Sequence, residues 1–145
     1  MMRSIFSERG LFYLVPKAAN PIICLGTAAR LRGWTSVWAG DIKVFVTKDI
    51  LATTGIVPYV MTTGIDFEMY KGLPTTTEFQ TIADLLVWRD LIKIDSQIPV
   101  ETFAVLFESD DPYPLENELE VYLEVRGLIP QYKELREECK SFYDF

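Results

Sequence analysis

The stretch LENELEVYLEVR at residues 115–126 constrains this chain more than any other. From Leu119 to Val125 every second residue is apolar, with Leu115 in phase, and the positions between carry Glu116, Glu118, Glu120, Tyr122, Glu124 and Arg126. Period two is the mark of a half-buried strand, apolar toward a core and acidic toward water. The same residues carry helix-boundary signals. Pro114 would sit in a first turn, Glu116 and Glu118 near the positive end, Arg126 in the last turn, and Gly127 just past it with Pro130 beyond. A helix would line up Glu116, Glu120 and Glu124 at i,i+4, where like charges repel. The alternation favours a strand, paired with the apolar run at 102–107.

The rest of the chain divides as follows. Residues 5–15 read as an early strand, 21–25 as a short buried strand, 26–33 as a turn or short helix, and 34–38 as a strand of alternating aromatic and small residues. IKVFVT at 42–47 is a strand by β-propensity and alternation. Residues 47–55 suggest a short helix with Thr47 as N-cap and Gly55 just past its end. Residues 56–62 suggest a strand that Pro58 pushes to a sheet edge. TTGI occurs at 53–56 and again at 62–65, which suggests two similar turns. Residues 66–73 are ambiguous, and 74–77 read as a loop ending in an N-cap. Phe79, Ile82, Ala83, Leu85, Leu86, Trp88 and Ile92 make a helical stripe over 78–93. Tyr132, Leu135, Cys139 and Phe142 make another over 130–143. The expected fold is a compact single α+β domain over 1–145, with a largely antiparallel sheet and these two main helices.

A chain of 145 residues is long enough to bury a core without metals or disulfides. Its charge is uneven. Residues 1–100 hold ten Lys/Arg and nine Asp/Glu, whereas 101–145 hold four and twelve, so a net charge of −7 splits into +1 and −8. An acidic surface repels nucleic acid and membrane phosphates and favours basic partners. Cys24 and Cys139 are far apart and form no CxxC motif. Two reduced thiols point to a reducing, cytoplasmic setting. No apolar run approaches the roughly 20 residues that span a bilayer, so no signal peptide or membrane span is expected.

The chain contains no histidine. That removes Ser-His-Asp and Cys-His catalysis, His-ligated zinc and the commonest general base. The phosphate-cradling motifs GxGxxG and GxxxxGK[ST] are absent too. No catalytic residue, metal site or cofactor is therefore assigned. Glu108, Asp110 and Asp111 cluster before Pro112, where Asp favours a turn by bonding its own backbone. Cys24 and Cys139 both lie in apolar patterns and read as core thiols. Trp34 and Trp38 beside Arg30 and Arg32 form the only basic–aromatic combination.

Residues 57–125 are similar in outline to the GyrI-like small-molecule-binding family. The matching features are Trp88 inside a helix, Asp111-Pro112 at a turn, and a final strand at 115–125. This resemblance implies an aromatic ligand pocket, with Trp34, Trp38 and Trp88 as candidates. The chain departs from that pattern at Leu106, an apolar residue near the place of the family's pocket glutamate.

The charge split supports a first expectation of a non-enzymatic interaction protein, an inhibitor or assembly component. Glu108, Asp110, Asp111, Glu116, Glu118, Glu120 and Glu124 would meet a basic surface on a larger protein. The ligand-binding domain is the alternative.

Overall fold

The computed structural model describes residues 8–37, 41–51, 54–61, 64–88, 97–107 and 116–142. Five strands and six α-helices lie among them: α1 Glu8–Phe12, β1 Ile22–Ile23, α2 Leu25–Leu31, β2 Ile42–Val46, β3 Ile56–Val60, β4 Phe67–Tyr70, β5 Leu73–Thr76, α3 Glu78–Trp88, α4 Gln97–Phe107, α5 Glu116–Val125 and α6 Ile129–Phe142. The class is α+β, as expected. The sheet order is β3-β2-β1-β5-β4. It is mixed rather than largely antiparallel: β2–β3 and β1–β5 are parallel, β1–β2 and β4–β5 antiparallel.

The strand β2 is where pattern and structure agree best. Ile42, Val44 and Val46 face a cluster built with Leu11, Val15 and Ile23. Phe45 points the other way, to Cys24, Leu25, Tyr59 and Trp88. Pro58 sits on the edge strand β3, where a missing N–H costs no ladder bond. Gly55 and Gly64, one in each TTGI copy, both take positive φ, 90° and 81°. The ambiguous stretch 66–73 and residues 74–76, expected as a loop, form the hairpin β4–β5. Lys71 and Gly72 form its two-residue turn, both at positive φ, which matches the twist of the flanking strands.

Several expected strands are helices. Residues 8–12 form α1, which sends Leu11 into the core. The run at 102–107 belongs to α4, where Ile98, Thr102 and Phe103 are buried at helical spacing. Its apolar run reads as a strand, but the i,i+4 burial decides the helix. Residues 115–126 are not a strand either. They hold α5, with Leu119 and Leu123 fully buried one turn apart. Gly127 at φ 69° ends it. The Leu128 N–H bonds the Leu123 carbonyl and the Gly127 N–H bonds the Glu124 carbonyl, the paired bonds of a glycine-terminated helix. Without strands at 102–107 and 115–125, the GyrI-like outline loses its second half.

The same ending closes α2. Gly33 at φ 80° lets the Trp34 N–H reach the Ala29 carbonyl at 2.9 Å, and Trp34 turns into the core instead of starting a strand. Thr47 does not cap a helix. Its N–H and hydroxyl both donate to the Ala19 carbonyl, and 47–51 are irregular. Thr77 does cap α3, since its Oγ1 accepts from the Gln80 N–H at 3.2 Å. The expected extension of that helix over 89–93 lies outside the described residues. The principal cluster joins α2 through Ala29 to α3, α4, α5 and α6, with Leu85, Phe103, Leu123 and Leu135 among its buried members.

Candidate functional site

Burial sorts the residues of α5 into three faces. Leu119 and Leu123 face inward. Glu116 and Tyr122 flank them and are tied to neighbouring elements. Asn117, Glu118, Glu120, Val121, Glu124 and Val125 face out. Val121 is 60% exposed and Val125 79%, one helical turn apart. Glu118, Glu120 and Glu124 surround them and make no ion pair with any described residue. The period-two pattern thus placed two valines on the wrong side, because a helix rotates 121 and 125 away from 119 and 123.

Glu116 does not share this surface. Its carboxylate accepts hydrogen bonds from Arg136 Nη1 and from the Tyr132 hydroxyl, the latter at 3.2 Å, and so fastens the start of α5 to α6. Burial raises the Tyr132 hydroxyl pKa, and the nearby Glu116 carboxylate adds to the rise. Glu108, Asp110 and Asp111 lie outside the described residues.

A second polar group ties the other side of α5 to the sheet and α3. The Tyr122 hydroxyl donates to Asp66 Oδ2 at 2.6 Å and lies 3.1 Å from Gln80 Oε1. The Arg126 guanidinium covers the Tyr122 ring at 3.4 Å and reaches Asp66 at 3.3 Å. Gln80 Nε2 donates to Asp84 Oδ1 at 2.7 Å, while Asp84 Oδ2 is buried without a partner among the described residues. Burial lifts the Asp84 carboxyl pKa to about 7 against the opposing Gln80 bond and Arg126 charge.

Neither Trp34 nor Trp88 lines the cavities among the described residues. Trp34 is core, Trp88 packs on Phe45 and Tyr59 at 6.3 and 5.3 Å, and Trp38 lies outside the described residues. Arg30 and Arg32 are occupied: Arg30 Nε bonds Glu8 at 2.7 Å, and Arg32 Nη2 bonds Glu68 and the Thr76 carbonyl at 2.9 and 2.8 Å. Cys24 and Cys139 are buried and not joined in a disulfide, and burial raises the Cys24 pKa well above its ordinary value.

The sequence reading missed a cavity of about 620 Å³ at the α1 end of the sheet. Its floor is the sheet face that the strand registers assign to Ile22, Phe45, Phe67 and Pro74. Phe12 and Tyr13 wall it from α1 and the turn after it, and Lys17, Asn20 and Thr47 supply its polar groups. The available signal was an aromatic pair followed by the lysine and asparagine of a loop, which reads as connector until the fold brings it to Phe45.

Among the described residues, no group of three or more His, Cys, Asp or Glu could hold a metal ion. No helix among them is long and apolar enough to cross a membrane. No protein-family model matches the chain, and no curated protein matches it.

Proposed function

We propose that the chain is a non-enzymatic interaction module that docks the outer face of α5 against a protein with an apolar groove rimmed by Lys and Arg. The observation that carries this reading is the Val121–Val125 ridge framed by three exposed carboxylates that pair with no described cation. Helix-in-groove recognition uses such anchors at i,i+4, and interfaces pair an apolar centre with a polar rim. Three exposed carboxylates would steer a basic partner toward the ridge and disfavour an acidic one. Net charge of −8 over 101–145 adds to that field.

A photo-crosslinking residue at position 121, with position 134 on α6 as control, tests this in cells. The expected adduct forms at 121 and not at 134. It weakens when Glu118, Glu120 and Glu124 become Gln. With the identified partner purified, affinity should fall as salt rises from about 50 to about 500 mM, because screening shortens to a few ångströms. Equal crosslinking from both positions, or affinity indifferent to both salt and the Gln substitutions, would refute the proposal.

A further inference from the structure

We infer that the cavity at the α1 end of the sheet is a binding site for a small amphipathic anion, an apolar body bearing a carboxylate or similar head. Its volume of about 620 Å³ falls within the roughly 300–1,000 Å³ typical of small-molecule sites. The walls are largely apolar, with Phe12, Val15, Ile22, Phe45, Phe67 and Pro74 among them. Two aromatic side chains that line it are left in water, Phe67 at 53% exposure and Tyr13 at 61%. A bound apolar body would remove both from solvent.

The polar groups set the sign of the ligand. No Asp or Glu lines the cavity among the described residues, although the chain carries a net charge of −7. Among the described lining residues the single charged side chain is Lys17, which makes no ion pair with any described residue. Asn20 ends the 3-10 turn Lys17–Ala19 at φ 49°, a left-handed conformation that Asn tolerates. Its Nδ2 donates to Thr47 Oγ1 at 3.3 Å, and the Thr47 hydroxyl is committed to the Ala19 carbonyl at 3.1 Å. The second Nδ2 hydrogen of Asn20 is left to donate. A lysine and an asparagine therefore line a largely apolar chamber, and their donor groups call for an acceptor that carries negative charge.

Calorimetric titration of the whole chain with decanoate, decanol and decylamine tests this inference. Decanoate should bind saturably and about tenfold tighter than decanol, the increment expected of one charge-assisted contact. Lys17→Ala should bring decanoate down to the affinity of decanol and leave decanol unchanged. Phe67→Ala, at a half-exposed position where folding is not at stake, should weaken both. The inference is overturned by the absence of saturable decanoate binding, by preference for decylamine, or by decanoate affinity that is indifferent to Lys17→Ala.

Discussion

Replacing Asp84 with asparagine should flatten the pH dependence of stability between about pH 4 and pH 8. Asp84 is only 6% exposed, one oxygen accepts from Gln80 and the other has no described partner. Burial is the main cause of its raised pKa, about 7 against an ordinary 3.8. The Gln80 bond and Arg126 pull it down and Asp66 pushes it up. The folded state thus holds this proton more tightly than the unfolded chain does. Stability from this group is full below the unfolded pKa, falls as pH rises through the window, and levels off above the folded pKa. A gap of about three pH units corresponds to about 4 kcal/mol at most. The chain has no histidine, so no other side chain of ordinary pKa titrates near pH 6.5. Asparagine is neutral throughout and keeps the acceptor for Gln80. The variant should match the parent to within about 1 kcal/mol near pH 4 and exceed it by up to about 4 kcal/mol near pH 8. Urea unfolding at a series of pH values measures both. Parallel slopes for parent and variant would refute the assignment.

Alanine at Leu123 should cost about 2–5 kcal/mol by leaving a core cavity, whereas alanine at Val125 should change stability by no more than about 0.5 kcal/mol; equal losses in chemical denaturation would restore the strand reading. Gly72→Ala should cost about 1 kcal/mol, because φ 80° strains any side chain. The Arg9 guanidinium, 3.7 Å from the added carbon, leaves it room, so a loss well beyond that in a thermal melt would point to a steric cause instead. Glu116→Gln should cost about 1 kcal/mol by weakening the partly buried Arg136 pair. It should also lower the Tyr132 hydroxyl pKa, since that carboxylate helps raise it; an unchanged ultraviolet titration would contradict the pairing.

Legibility followed the distinctness of the period. The strand β2 alternates with no competing helical match, and α3 shows both a capping Thr77 and a stripe from Phe79 to Trp88, so both were readable. The α5 segment was not, because Leu119 and Leu123 satisfy two periods at once. Gly127 and Pro130 were the better guides there, since a terminating glycine reports backbone geometry directly. Trp34 misled for a related reason: its alternation with small residues is local, but Gly33 turns the chain before a strand can begin. The acidic surface was half legible. Glu118, Glu120 and Glu124 share one face, but no local pattern reveals that Arg136 claims Glu116 from a following helix. The cavity was least visible, since Lys17, Asn20 and Phe45 meet only through sheet pairing.

The brevity of β1 has a consequence for the chain entropy of assembling this sheet. Two isoleucines, Ile22 and Ile23, join the β2–β3 pair on one side to the β4–β5 hairpin on the other. That hairpin can close locally within about 1–10 μs. The pairing of Ile23 with Thr75 must first close a loop of roughly fifty residues, at a cost in chain entropy that local contacts do not meet. Among the strand pairings of this sheet, the seam at Ile23 thus closes the longest loop and carries the largest cost in chain entropy.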